Sequence, residues 1–271
     1  LRLSFAPQSR NYTVRAKKTV SESKRKEVSM RAMSRIWTAL VVVASILGLT
    51  ALWSNSATAV PLSNTPIDWS TFLTWVDATG DGSPDVDPNY PPLTFPFDFT
   101  GNIFPDGEVF TAAYPGAGAA AGKWIYVYQV RHLSPSDVPV VNGISLRFIT
   151  DPTADAITAP NVGSISSFYI SSGNPIIGFG LGTVATQGAD WYPSSSNPTL
   201  SINFAVQTGA ITHIFGVFSS LPPTLIDATL RDSVSMTTRP LVYTPSPEPS
   251  AWMLLGLGLL GGLVTQLRRK K

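Results

Sequence analysis

From residue 60 to residue 243 the apolar positions come in short runs broken by Gly, Pro, Asn, Ser and Asp, the rhythm of strands and turns. This pattern predicts strands at 93–99, 108–112, 124–131, 143–149, 164–170, 180–185, 200–206, 211–218, 224–230 and 234–238. Helical spacing is confined to residues 69–76. The run Trp124-Ile125-Tyr126-Val127-Tyr128-Gln129-Val130 is apolar on both alternating faces, which predicts a central strand covered on both sides. Gly178-Phe179-Gly180-Leu181-Gly182 reads as a kinked strand, and 117–121, in a Gly/Ala tract, as a flexible loop. Many short strands at this spacing predict an all-β domain, an antiparallel β-sandwich with jelly-roll-like winding.

Two longer apolar runs lie outside that domain. Residues 39–52 are 14 apolar or small positions, preceded by Met33-Ser34-Arg35 and followed by Ala57-Thr58-Ala59. A positive start, a short apolar helix and an A-x-A site predict a secretory signal peptide over 30–59. Met30 or Met33 suits its start, which leaves 1–29 as a gene-model extension. At the other end, 251–267 contains 17 residues without a charge, ahead of Arg268, Arg269, Lys270 and Lys271. As a helix this run would span about 25 Å, enough for a thin bilayer. It predicts a transmembrane helix whose basic end stays in the cytoplasm. Residues 244–250, rich in Pro and Ser, form the linker.

Charge sharpens this division. The formal net charge of the 271 residues is +2, but residues 1–59 carry 10 basic and 2 acidic side chains, and 60–247 carry 5 and 14. The ends are basic and the body is acidic, which disfavours nucleic acid as a partner. Only 13% of residues are charged and 44% are hydrophobic, a composition foreign to disordered chains. The absence of Cys excludes disulfide frameworks and thiolate metal sites.

Pro247-Glu248-Pro249, the Gly/Leu-rich span after it and the terminal Arg268–Lys271 cluster follow one another in a distinctive order. This ending resembles the PEP-CTERM sorting signal of Gram-negative bacteria. The resemblance covers about the last 25 residues. It implies recognition by an exosortase, a membrane transpeptidase, with Pro247, Glu248 and Pro249 as the recognised element and the chain as its substrate. Proline's fixed φ and missing N–H would keep that tripeptide extended and outside the helix. It also implies transient residence in the inner membrane, passage to the cell surface or extracellular matrix, and association with exopolysaccharide and biofilm. The strand Tyr126-x-Tyr128-x-Val130 resembles an aromatic strand common in such proteins.

Candidate chemistry inside the body is sparse. Its histidines are His132 and His213, the latter placed by pattern in the strand at 211–218, and the chain has no H-E-x-x-H, G-x-S-x-G or P-loop motif. No enzymatic activity is expected, and a secreted hydrolase ranks third among the readings. Asp77, Asp81, Asp85 and Asp87 crowd into a Gly-containing loop that could offer oxygens to Ca²⁺, though Pro88 stands where an EF-hand needs its last Glu. Trp191 and Tyr192 lie in a polar loop and could stack on sugar rings. The chain therefore reads as an exported, exosortase-sorted surface or matrix protein with a structural or adhesive role. The alternative is a calcium-dependent carbohydrate-binding module, in which the Asp loop and Trp191 would share one exposed end.

Overall fold

The computed structural model describes residues 58–245, except 102, 103, 135, 137, 149, 194–197, 235 and 236. The expected extension at 1–29, nearly all of the signal peptide, the linker after residue 245 and the transmembrane span lie outside the described residues. Among the described residues, no helix is long and apolar enough to cross a membrane.

In chain order the elements are β1 (Val60–Pro61), β2 (Asn64–Asp68), α1 (Trp69–Val76), β3 (Leu93–Phe97), β4 (Gly107–Pro115), β5 (Trp124–His132) and β6 (Val140–Arg147). Then follow β7 (Ile157–Ala159), β8 (Gly163–Ile165), β9 (Ser167–Ser172), β10 (Gly188–Tyr192) and β11 (Thr199–Gln207). The last are β12 (Phe215–Ser219), β13 (Pro223–Asp227), β14 (Thr229–Asp232), β15 (Thr237–Thr238) and β16 (Leu241–Pro245). The body is mostly strand, as its sequence predicts.

One six-stranded sheet runs β1-β10-β11-β6-β14-β15 and is antiparallel throughout. A second runs β2-β9-β12-β5-β4-β3, and its β2–β9 pair is parallel. Two small pairs, β7–β8 and β13–β16, complete the fold. β3, β4 and β5 form a meander inside the second sheet, whereas jelly-roll winding would carry successive strands from sheet to sheet.

The two sheets share one hydrophobic cluster. Ile144, Leu146, Leu200 and Ile202 come to it from the first sheet, and Val109, Tyr126, Tyr128 and Val217 from the second. Burial of both tyrosines pushes their hydroxyl pKa values up, and each hydroxyl donates to a carbonyl: Tyr126 to Leu221 and Tyr128 to Tyr243, both at 2.7 Å. On the other face of β5, Ile125 and Val127 join a second cluster with Phe72, Trp75 and Val76 of α1. β5 thus lies centrally and is covered on both sides, which is why its sequence is apolar at consecutive positions. Burial along β6 of the first sheet is interrupted, and Asn142 and Arg147 are exposed.

α1 spans the same residues that the helical spacing predicts, and it buries Trp69, Phe72, Trp75 and Val76. The Asp68 carboxylate caps it by accepting the Thr71 N–H at 2.6 Å. That backbone hydrogen bond, followed by those from the Thr71 and Ser70 side chains, holds the Asp68 pKa below its ordinary value. A carboxylate with a lowered folded-state pKa stabilises the fold above its unfolded pKa, near 4, and loses that contribution as pH falls through the folded value. Asp68→Ala should therefore cost about 1 kcal/mol at neutral pH. Thermal melts from pH 7 downward should show the difference from wild type shrinking at the acid end; a constant difference would mean that the ionised cap is not its source.

Several strand boundaries differ from the pattern. The segment 180–185 is not a strand: Gly178, Gly180 and Gly182 have φ of 63°, 87° and 78°, and only an isolated parallel bridge joins Val184 to Thr212. The buried Gln129 amide holds this turn, donating to the Gly180 carbonyl at 2.7 Å and accepting the Phe179 N–H at 2.6 Å. The strand expected from 211 begins only at Phe215, so His213 precedes it. The loop expected to be flexible at 117–121 holds a 3-10 turn, Gly118–Ala120, with Ala120 buried and Ala117 N–H bonded to the Trp75 carbonyl at 2.6 Å. Thr244, expected in the linker, is buried in β16.

Candidate functional site

His132, at the end of β5, is fully buried. Its Nδ1 lies 3.1 Å from the Val206 carbonyl and its Nε2 2.9 Å from Ser136 Oγ. Ser136 Oγ also lies 2.7 Å from Asp106 Oδ1, and Asp106 Oδ2 accepts the Phe99 N–H at 2.8 Å. The residue types are those of a hydrolytic triad, but here the serine sits between the histidine and the aspartate. An activated serine needs a histidine base that is itself oriented by the acid, and a hydroxyl directed at substrate. This hydroxyl is instead engaged by three internal partners, since it also accepts the Val138 N–H at 3.1 Å. The arrangement braces the end of β5 against the turn before β4 and the loop before β6.

His213 stands apart from that network. Desolvation lowers its pKa, its ring packs at 5.7 Å from that of Tyr169, and its buried Nδ1 has no partner among the described residues.

In the acidic loop the carboxylates are turned onto the loop's own backbone. Asp77 accepts the N–H groups of Gly80 at 2.6 Å and Gly82 at 2.8 Å. Asp85 accepts that of Ala78 at 2.6 Å, Asp81 that of Ser83 and Asp87 that of Asn89, the last two at 2.8 Å. Desolvation pushes the Asp77 carboxyl up, but hydrogen bonds from Gly82, Gly80 and Asp81 outweigh it and hold the pKa below its ordinary value. Amide dipoles thus supply the positive potential that such crowding demands. Among the described residues, no group of three or more His, Asp or Glu side chains is placed to hold a metal ion.

The expected sugar-stacking pair is split by the pleat of β10. Trp191 is only 3% exposed and belongs to the cluster between the sheets, with its ring 6.5 Å from that of Phe148. It is a core residue and cannot stack on a surface sugar, which corrects its placement. Tyr192, one residue on, faces the other way and is 37% exposed. Trp191 is buried, so it occupies no exposed end for the Asp loop to share.

Asp106 and Ser136 are the internal polar residues that the sequence pattern passes over. Pro105-Asp106-Gly107 reads as an ordinary turn, and nothing local marks its carboxylate as buried.

The remaining candidates, Pro247, Glu248, Pro249 and the basic cluster Arg268–Lys271, lie outside the described residues. Residues 247–270 match the family model described as the PEP-CTERM protein-sorting motif. No curated protein and no solved structure matches the chain.

Proposed function

Because the chain ends in a PEP-CTERM protein-sorting motif, which implies exosortase-dependent sorting of a secreted surface protein, we propose that it displays its β-rich body at the cell surface in a structural or adhesive role. The motif match at 247–270 is the observation that carries this reading. The apolar run at 39–52 and the Ala57-Thr58-Ala59 site support export through a cleaved signal peptide. The charge-free run at 251–267 supports transient anchorage in the inner membrane, with the four terminal cations retained on the cytoplasmic side. Two sheets packed over a common cluster support a β-sandwich reading of the displayed body. Exopolysaccharide is the matrix component that the proposed role brings to such a body, and catalysis forms no part of the proposal.

The test is fractionation with terminal mass mapping in the native host. The wild-type chain should lose its C-terminal segment and leave the inner membrane, whereas Glu248→Ala should keep an intact C-terminus in the membrane fraction. An intact C-terminus in both proteins would refute processing at this motif.

A further inference from the structure

The five cations of the body show where a ligand would be held. Lys123 pairs with Asp155 at 3.7 Å, and Arg131 pairs with Glu108. Arg231 spans from β14 to β11, donating to Ser201 Oγ and Asn203 Oδ1, both at 3.1 Å. The guanidinium groups of the other two, Arg147 and Arg239, have no hydrogen bond or ion pair among the described residues. Both line the same cleft of about 540 Å³, which lies between the β6 and β14 side of the first sheet and the β13–β16 pair.

The rest of the lining has a consistent chemistry. Asp227 offers one carboxylate, so the three ionised groups sum to a positive charge inside a body where acids outnumber bases 14 to 5. Ser145 and Thr229 present hydroxyls. Leu225 and Leu241, 39% and 38% exposed, are two of the few exposed large apolar side chains, and both line the cleft. Register leads outward from it: Arg147 pairs with Thr199 and Thr199 with Tyr192, so the exposed tyrosine lies in the same cross-strand row.

We propose that this cleft binds a carboxylate-bearing polysaccharide. Guanidinium is planar and matches a carboxylate through paired N–H donors, which suits Arg147 and Arg239 to the acid group. Asp227, Ser145 and Thr229 are suited to sugar hydroxyls, and the leucines to the C–H faces of the ring. A polar hydroxyl-and-acid lining beside exposed leucines fits an acidic sugar better than a bare inorganic anion, which has no apolar face. The body as a whole repels polyanions, but at physiological salt that repulsion is screened beyond about 8 Å, leaving the local field of the cleft to act. The inference gives the adhesive reading above its ligand and rests on that reading for its setting.

Calorimetric titration of the full chain in detergent tests it with three probes. Oligogalacturonate should bind, its fully methyl-esterified counterpart should not, and polyglutamate should not. Arg147→Gln with Arg239→Gln should weaken oligogalacturonate binding about tenfold, the scale of two exposed ion pairs, with the thermal midpoint unchanged. No binding of oligogalacturonate, or equal binding by the double variant, would overturn the proposal. Equal binding of the ester would remove the role of the acid group, and equal binding of polyglutamate would make the cleft a dock for acidic peptide; either also overturns it. None of these results bears on processing, which the Glu248→Ala experiment reads separately.

Discussion

Phe168→Ala in β9 should lower the stability of the body by about 4 kcal/mol, a large share of the roughly 5–15 kcal/mol that holds a domain folded. Phe168 is fully buried, with ring centroids 5.8 Å from Phe72, 5.4 Å from Trp75 and 5.4 Å from Phe218. It therefore ties α1 to the second sheet through two aromatic contacts, and the third joins β9 to β12 within that sheet. It also covers Gly216 of β12 so closely that a Cβ there would meet Phe168 Cζ at 2.6 Å. Truncating the ring removes its transfer energy and leaves a cavity that two rigid neighbours cannot fill. Urea unfolding followed by tryptophan fluorescence is a suitable measurement, because Trp75 packs on the deleted ring. At an m value of about 2 kcal/mol/M the midpoint should fall by about 2 M. Phe168→Leu, which keeps most of the volume, should cost much less. A loss below about 1 kcal/mol for alanine would mean that the helix does not depend on this ring.

Asp106→Ala should cost about 3 kcal/mol by a different mechanism. The carboxylate is 1% exposed, and its two oxygens serve the Phe99 N–H and Ser136 Oγ. Deleting it strands buried donors, each costing about 1–3 kcal/mol when left unpaired. Asp106→Asn keeps one acceptor oxygen and should recover part of the loss. A cycle with Ser136→Ala should show the two losses to be strongly non-additive, since both changes break the same chain of hydrogen bonds. Additive losses would indicate that Asp106 and Ser136 act separately, and the brace described for His132 would then be wrong.

These two sites differ in how far the sequence announces them. The helix is legible: its apolar spacing over 69–76 survives intact in α1. β5 is legible too, because an aromatic run on both faces leaves no polar side for solvent. The partner of Trp75 is not legible, since Phe168 lies 93 positions away in a run that reads only as another strand. The glycines at 178–182 mislead for a related reason. Their spacing fits a kinked strand, but the positive φ angles and the Gln129 amide make a pinned turn. In the acidic loop side-chain identity carries the charge, while the backbone N–H groups that meet its carboxylates carry no sequence signal.

Trp191 and Tyr192 show the limit most simply. Adjacent residues in a strand point to opposite faces, so a one-residue difference decides between core and surface. Composition places both in a polar loop; pairing of β10 with β11 buries the first and exposes the second.

By itself the sequence determined the sorting motif, the all-β class and the charge division between ends and body, because each is written in contiguous residues. The tertiary structure alone decided which polar groups meet. Asp106, Ser136 and His132 become one buried brace, and Arg147 and Arg239, 92 positions apart, come to line one cleft. Long-range strand pairing brings such residues together, and local pattern carries no term for it.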